Sequence, residues 1–314
     1  MAEMVKKATR ESFGETVTAL AAEYPEIVVL DADLAAATKT GIFKKAYPER
    51  FFDCGIAECN MVGVAAGLAT CGKIPFAASF AMFSAGRAFE QVRNSVGYPK
   101  LNVKIVGSHA GISVGEDGAT HQCCEDIALM RTIPGMVILN PCDHYEMQAA
   151  VRAAVEHKGP CYIRLGRLAV ESINNNDDYK FELGKGITLR EGTDITVVAT
   201  GLMVQEAVKA ADALKEEGIS VEVINIHTIK PLDEELVIAS AKKTGRVITV
   251  EEHNIIGGLG EAVSTALSEH CPTPVTRIGV NDVYGHSGPA MDLLKEFGLS
   301  AEHIAEVIRE KLAK

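Results

Sequence analysis

The chain has 314 residues, of which 47% are apolar and 23% charged, a composition normal for a globular protein large enough for two domains. The formal net charge is −11 and no run of Lys and Arg offers a track for a phosphate backbone, which argues against nucleic acid as a partner. No apolar signal core follows the N-terminal charges, and Pro75, Ser79 and Arg87 interrupt the most apolar stretch, so we expect a cytoplasmic protein without a membrane segment.

The first half of the chain alternates short β-branched runs with longer amphipathic segments. The predicted buried strands are residues 26–30, 103–106, 136–139 and 161–164. The predicted helices are residues 12–23, 60–71 and 144–157. This alternation is typical of βαβ units, so residues 1–172 are predicted to form a parallel sheet with helices on both faces.

A polar segment around Asn174 has few apolar side chains and predicts a linker, placed at residues 173–188. A second alternating series follows, with strands at 195–200, 221–226, 246–250 and 275–278 and helices at 204–217, 233–243, 260–270 and 300–312. Residues 189–314 are therefore predicted to form a second, smaller domain. The expected fold class is α/β, with two domains that each hold a mostly parallel sheet flanked by helices.

Eight cysteines are spread along the chain, and none of them forms a Cys-x-x-Cys pair. Most stand beside Ala, Val or Ile, where cysteine packs as a small buried apolar residue. We therefore expect reduced thiols, as in a cytosolic enzyme, and we predict no metal site in this chain.

A first candidate for chemistry is the segment 53–68, in which a strand is predicted to end near Gly55 and a helix to begin near Glu58. Glu58 then lies in the first turn of the helix. A carboxylate there could simply interact favourably with the helix dipole, by about 0.3–1 kcal/mol. The residues alone leave both a structural and a functional role open for Glu58.

A second candidate is the pair Phe80 and Phe83, three positions apart in a Gly/Ala/Ser-rich stretch. Only 5% of the chain is aromatic, so the pair stands out. The two rings could form a flat apolar wall for a heteroaromatic ligand. Filling of the protein core is the equally open alternative.

A third candidate is a loop that follows a predicted strand and holds two histidines, two acids and four glycines within residues 107–121. Such a loop lies at the carboxyl end of a parallel sheet, where α/β proteins bind ligands. His109, Asp117 and His121 can hydrogen-bond sugar hydroxyls, and histidine can relay protons. A purely structural glycine-rich turn is the alternative.

Together these segments resemble the transketolase family of thiamine-diphosphate enzymes, and the resemblance covers essentially the whole chain. GIAECNM looks like the family's pyrimidine-binding segment and GEDGATHQ like its substrate loop. Further similar segments are KKATRESFGETV, DADLAAATKT and EEHNIIGGLGE. Only the pyrimidine-binding and C-terminal domains are recognised, without the diphosphate-binding domain and its Gly-Asp-Gly…Asn motif. The chain thus resembles the C-terminal subunit of a split transketolase.

For the cofactor, the resemblance implies a thiamine diphosphate site in which Glu58 contacts N1′ of the aminopyrimidine. Phe80 and Phe83 would stack on the pyrimidine ring, and Asp33 and Ile56 are further implied cofactor contacts. Mg²⁺ is also implied, with its ligands on a partner subunit rather than on this chain.

For the substrate, the resemblance implies that His109, Asp117 and His121 line the sugar hydroxyls and that both histidines are catalytic. A phosphate group is also implied, which the fork of an arginine suits. Arg10 and Arg167 are the implied contacts of this phosphate. The hydroxyl group of Thr38 is a further implied contact of the substrate.

Two positions depart from the family pattern. Gly86 stands where transketolases often carry a third aromatic residue, and Ala37 stands where they often place a phosphate-binding serine. The run that begins at Arg87 looks more like deoxyxylulose-phosphate synthase or the β subunit of 2-oxoacid dehydrogenases, although His109 argues against the synthase. A subunit of one of these enzymes and a non-catalytic α/β binding subunit therefore remain alternatives.

The resemblance also implies the assembly and the reaction. We expect an N-terminal transketolase subunit as partner, which would carry the diphosphate-binding domain, and an α2β2 assembly. The implied reaction is transfer of a two-carbon ketol unit between sugar phosphates, as in the pentose phosphate pathway.

Overall fold

The computed structural model describes residues 5–174 and 179–313. These residues form two sheets, each flanked by helices, as the sequence predicts. Residues 175–178, which belong to the predicted linker, lie outside the described residues. Among the residues described, no helix is both long and apolar enough to span a bilayer.

The first domain contains most of the strands of a seven-stranded sheet. Its strands are β1 (Lys6–Ala8), β2 (Ile27–Asp31), β3 (Phe51–Asp53), β4 (Ile74–Phe80), β5 (Lys104–Ser108), β6 (Val137–Leu139), β7 (Cys161–Arg164) and β8 (Ala169–Glu171). Its helices are α1 (Thr9–Leu20), α2 (Ala35–Thr38), α3 (Gly41–Ala46), α4 (Glu58–Thr70), α5 (Phe89–Gln91), α6 (Asp126–Arg131) and α7 (His144–Glu156). Two π-helical segments and two 3₁₀ turns complete it, at Met82–Arg87, Val92–Gly97, Pro48–Arg50 and Ile112–Asp117.

Six of these strands pair in parallel in the order β6-β7-β5-β4-β2-β3, while β1 and β8 form a separate antiparallel pair. The four strands predicted in this half are present, with ends shifted by at most two residues. Every residue of β2, β5, β6 and β7 is buried, because helices cover both faces of the sheet. Their continuous apolar runs therefore predicted them correctly.

The sequence did not predict β4, although it lies in the middle of the sheet. Pro75 and Ser79 interrupt its apolar run. Pro75 is opposite Val28 of β2, but pairing with β5 begins one residue later, at Phe76 and Lys104. The missing N–H of the proline therefore lies outside the β4–β5 pairing, which makes a proline tolerable near the start of this central strand.

The second domain continues the α/β pattern in a smaller sheet. Its strands are β9 (Ile187–Arg190), β10 (Ile195–Ala199), β11 (Val221–Asn225), β12 (Thr228–Lys230), β13 (Val247–Asn254) and β14 (Val275–Val280). Its helices are α8 (Met203–Lys215), α9 (Glu234–Thr244), α10 (Leu259–His270), α11 (Ala290–Glu296) and α12 (Ala301–Leu312). Five strands form the sheet β14-β13-β10-β11-β9, in which only β9 is antiparallel to its neighbour. The predicted fold class is confirmed.

One strand of the second half, β12, joins the sheet of the first domain. It pairs antiparallel with β6, Thr228 lying opposite Leu139. The ammonium group of Lys230 donates to the carbonyl oxygens of Arg131 and Ile133, at 2.7 Å each. The sequence did not predict this strand, which makes the seventh strand of the first sheet a contribution of the second domain.

A buried ion pair lies where the two domains meet. Arg164, at the end of β7, donates from Nε to Asp126 Oδ2 at 2.8 Å, and the two side chains are 4% and 0% exposed. Tyr162 donates its hydroxyl to the same oxygen, and Arg164 also donates to the carbonyl of Glu252 in β13. Burial is the largest single influence and would raise the pKa of Asp126, but the charges of Arg164 and His253 and the hydrogen bonds from Arg164 and Tyr162 together lower that pKa.

A second buried polar cluster joins α7, the linker region and β11. Glu146 Oε1 accepts from Asn225 Nδ2 at 2.7 Å and from the hydroxyl of Tyr179 at 3.0 Å, while Oε2 accepts from the amide of Cys142 at 2.7 Å. Burial, followed by the nearby charge of Asp143, raises the pKa of Glu146 to about 7. Tyr179 of the predicted linker thus bonds to the same carboxyl oxygen that accepts from Asn225 of the second domain.

We expect Glu146→Gln to change how stability depends on pH. The folded-state pKa lies above the ordinary value of about 4.5, so Glu146 favours folding at low pH, and this contribution is lost as pH rises through 7. The loss amounts to at most about 3 kcal/mol of unfolding free energy. In thermal unfolding, the Tm of wild type relative to that of the variant should therefore be lower at pH 8.5 than at pH 5.5. Glu23→Gln, at an exposed site, is the control, and equal pH responses of wild type and Glu146→Gln would contradict the prediction.

Candidate active site

The candidate site lies where three elements of the first domain meet. Helix α4 begins at Glu58, β4 ends at Phe80 and β5 ends at Ser108, directly before His109. The carboxyl ends of neighbouring parallel strands share one edge of the sheet, and this is where α/β folds bind ligands. The chain order of strand, turn and helix thus brings residues from distant parts of the sequence to one edge.

Glu58 is buried at the start of α4 and has a cationic partner. Its side chain is 2% exposed, and its Oε2 lies 2.8 Å from Nη1 of Arg87, whose side chain is 50% exposed. The guanidinium carbon of Arg87 also lies 4.7 Å from the ring centroid of Phe83. The carboxylate is therefore buried beside a guanidinium group that is half exposed.

Four aromatic rings pack against one another at this edge of the sheet, and one of them, Phe83, contacts Arg87. Phe80 and Phe83 are nearly parallel, with centroids 6.0 Å apart and planes at 11°. His109 stacks on Phe80 at 4.0 Å, and the ring of His121 meets Phe83 edge-on at 5.4 Å. The structure therefore brings together two phenylalanines and two histidines that the sequence had placed in separate motifs.

The conformation of His109 is fixed by its backbone and by a neighbouring hydroxyl. Its φ is 55°, in the left-handed region, and its Nδ1 lies 2.8 Å from Ser108 Oγ. Burial, followed by the charges of Arg10, Arg167 and Lys39, lowers the pKa of His109 to about 3. The imidazole is therefore neutral at physiological pH, with one nitrogen that donates and one that accepts.

The same three cations form a positively charged group beside His109. Arg10 donates from Nη1 to the carbonyl of Ala37 at 2.8 Å, and its Nε is buried without a hydrogen-bond partner. Arg167 pairs with Glu116 at 2.7 Å and also donates to the carbonyl of Val114. A buried N–H without a partner is costly, so the Arg10 side chain is suited to an additional acceptor such as an anionic ligand.

The structure places the other predicted site residues in different surroundings. Asp117 is exposed at the end of the Ile112–Asp117 turn, and Ile56 is 76% exposed just before α4. Asp33 is exposed with φ 63°, and its amide donates to Asp53 Oδ1. Thr38 is fully buried and donates to Asp31 Oδ2 at 2.7 Å. Its hydroxyl thus takes part in the internal structure of the loop, and the substrate contact implied for it stays a prediction.

Three residues near the site were not predicted as functional. Lys39 follows Thr38 in the DADLAAATKT segment, and only the folded loop brings its charge near His109. Arg87 was noted only as a departure from the family pattern. Glu252 of the second domain accepts from the amide of Ser113 at 2.7 Å, so the second domain supports the loop that carries the histidines. None of these contacts leaves a local sequence signal.

Gly111 explains how closely the second domain approaches this loop. Its φ is 86°, and a side chain at this position would run into the carboxylate of Glu252.

In the two described ranges, no group of three His, Cys, Asp or Glu residues could hold a metal ion. The site combines one buried carboxyl group, stacked aromatic rings and a cationic group.

Comparison with known proteins gives this arrangement a family. The family model described as "Transketolase, pyrimidine binding domain" matches residues 5–172, and the model "Transketolase, C-terminal domain" matches residues 184–304. The chain belongs to the transketolase family, whose members depend on thiamine diphosphate. It comprises the family's pyrimidine-binding and C-terminal domains.

Three related chains are similar to this one along almost their full length. A transketolase C-terminal section from Methanocaldococcus jannaschii is 52% identical over 99% of this chain and 98% of its own length. The 6-deoxy-6-sulfo-D-fructose transketolase subunit of a Clostridium species is 46% identical over 96% of this chain and 93% of its own. Among solved structures, a split-gene transketolase described as an inactive β4 tetramer is 51% identical, with a TM-score of 0.90 over 98% of this chain and 99% of that one.

We expect His109 to stay neutral throughout the physiological pH range. Its pKa of about 3 lies far below the ordinary value of about 6.5, so its ring should take up a proton only below pH 4. NMR titration of labelled histidines should show no inflection for His109 between pH 8 and pH 5. His286, which is exposed and bonded to Glu296, has a raised pKa and serves as the internal control. An inflection of His109 near pH 6.5 would show that the site is more solvated than the structure indicates.

Proposed function

We propose that this chain is the C-terminal subunit of a transketolase that transfers a two-carbon ketol unit between sugar phosphates. The observation that carries the proposal is the buried carboxyl group of Glu58 beside the nearly parallel rings of Phe80 and Phe83. A buried acid next to flat aromatic surfaces suits a heteroaromatic ring that needs both stacking and one strong hydrogen bond.

The residues present fit thiamine diphosphate. Glu58 would hold a proton at N1′ of the pyrimidine, the phenylalanines would orient the ring, and the exposed side chain of Ile56 would cover part of the cofactor together with Asp33. When bound, the cofactor supplies the electron sink for cleavage of a carbon–carbon bond, and the protein supplies orientation and electrostatics. The diphosphate and its Mg²⁺ would lie on the partner subunit.

The polar side chains would bind the sugar. Neutral His109 can both donate to and accept from hydroxyl groups, and His121 and Asp117 follow on the same loop. Both histidines can move protons between substrate oxygens. Arg10 and Arg167 would bind the terminal phosphate, and Lys39 adds a third positive charge.

A sulfonated sugar is a second candidate substrate. The Clostridium relative is described as acting on 6-deoxy-6-sulfo-D-fructose. A sulfonate, like a phosphate, presents several oxygens around a tetrahedral centre, so the same group of cations could bind it. We expect the phosphate to bind more tightly because it carries more negative charge.

Assembly with an N-terminal subunit is part of the proposal, in an α2β2 arrangement. Two facts support it: the family models matched here cover only two domains, and the related split-gene chain is described as inactive when it forms a β4 tetramer. We expect the complete enzyme in the cytoplasm, where it would act on pentose phosphates.

We expect no ketol transfer from the purified chain alone, and activity after addition of the partner subunit, thiamine diphosphate and Mg²⁺. In the assembled enzyme, Glu58→Gln should lower kcat by about 100-fold or more, because proton transfer at N1′ is needed for the chemical step. Turnover is measured with a sugar-phosphate donor and acceptor.

Glu23→Gln is the matched control, since it removes an acid from an exposed Arg–Glu pair on the same domain. Robust turnover by the isolated chain would refute the need for a partner. Activity of Glu58→Gln within a few-fold of wild type at saturating cofactor would reduce Glu58 to an acid at a helix terminus.

We expect Arg167→Ala and Arg10→Ala to raise KM for phosphorylated sugars by about 10- to 100-fold, because each charged contact contributes about 1.5–3 kcal/mol. KM for hydroxypyruvate, a donor without phosphate, should change little. Both substrates are measured in the same assembled enzyme, with Arg190→Ala as an exposed control. Equal losses on the two substrates would mean that these arginines serve folding or subunit contact.

A further inference from the structure

Arg87 makes two contacts in this chain that the proposed function assigns to the cofactor. Its Nη1 lies 2.8 Å from the buried carboxylate of Glu58, and its guanidinium lies over the ring of Phe83 at 4.7 Å. A guanidinium group is planar, stacks on aromatic rings and donates hydrogen bonds from its edge. An aminopyrimidine is also planar and also presents nitrogen atoms along its edge.

We propose that the guanidinium group of Arg87 occupies the place of the pyrimidine ring in the chain without cofactor. It would keep the contacts to Glu58 and Phe83 filled and rotate away when the cofactor binds. The inference rests on the proposed function, because it takes Glu58 and Phe83 as the pyrimidine's contacts. Arg87 thereby becomes a gating residue for cofactor entry.

The surroundings of Arg87 allow such a movement. Its backbone is held in place, because its carbonyl accepts from Cys59 Sγ at 3.5 Å and it ends the π-helical segment Met82–Arg87. Its side chain is 50% exposed, so the guanidinium can rotate into solvent without displacing packed residues. π-Helical turns are frequent at functional sites, where they place side chains out of the ordinary helical pattern.

The two states also differ in the hydrogen bond that Glu58 makes. Beside Arg87 its carboxylate accepts a charge-assisted hydrogen bond, whereas toward a ring nitrogen its carboxyl group must donate. A carboxyl group this deeply buried needs a partner in both states, since an isolated buried charge is very costly. Arg87 supplies that partner before the cofactor arrives.

The test compares wild type with Arg87→Met in the assembled enzyme with its partner subunit and Mg²⁺. Methionine keeps a long apolar stem over Phe83 but removes the guanidinium. Stopped-flow circular dichroism and calorimetry should show that thiamine diphosphate associates about 10-fold faster and binds about 10-fold more tightly, as expected when a competing ion pair is lost. Arg152→Met is the matched control, since it breaks an exposed Arg–Glu pair on α7 and should leave both values unchanged.

Thermal unfolding separates gating from a merely structural role. Without cofactor, Arg87→Met should unfold at a lower temperature than wild type because Glu58 has lost its partner, and thiamine diphosphate should raise its Tm by more than it raises that of wild type. A structural role would lower Tm equally with and without the cofactor, which would overturn the inference. If Arg87→Met does not fold, Arg87→Lys, which keeps the charge without the planar group, should show the same changes at smaller size.

Unchanged or weaker cofactor binding by the variants would also overturn the gating role while leaving the proposed function intact. Failure of the wild-type complex to bind thiamine diphosphate at all would refute the proposed function and the inference with it.

Discussion

Arg164 and Asp126 form an ion pair that water does not reach, and the position of the candidate site depends on it. Arg164 ends β7 and Asp126 begins α6. Nη2 of Arg164 donates both to Asp126 Oδ1 and to the carbonyl of Glu252 in the second domain. Loss of one partner of such a pair typically costs about 3–5 kcal/mol, because the other charge is left buried alone. Through Arg164 the pair is also hydrogen-bonded to β13 of the second domain.

The loop with the two histidines is held between the second domain and the end of β4. Glu252 reaches from the second domain to the amide of Ser113, and Gly111 allows that close approach. On the other side, His109 packs against Phe80 at the end of β4. The second domain, which contributes no predicted catalytic group, thus shapes the site by positioning the loop of the first.

The sequence predicted best those strands whose own residues carry a clear apolar pattern. The strands of the first sheet that are buried on both faces appear as continuous apolar runs, whereas β4 was missed because Pro75 and Ser79 break its run. Strand β12 was missed because its pairing partner is β6, far away in the chain, and three residues carry little pattern.

The same distinction applies to the site. Glu58, Phe80 and His109 were candidates because they stand in recognisable motifs, and the fold brings them together. The ion pair of Arg87 and the charge of Lys39 depend on side-chain directions that only the fold sets. The hydrogen bond from the Thr38 hydroxyl to Asp31 is likewise set by the fold. The substrate contact that the resemblance implies for Thr38 stays a prediction.

The pairing of β12, from the second domain, with β6 of the first sheet has a consequence for synthesis of the chain. Strand β6 receives its outer neighbour only from Thr228–Lys230, which the ribosome makes long after the rest of the first sheet. Domains generally fold as units from the N-terminus while the chain grows. In this protein the edge of β6 must stay open until much of the second domain has emerged, and an open edge invites pairing with other chains. The growing chain is thus most exposed to aggregation between completion of β7 and arrival of β12.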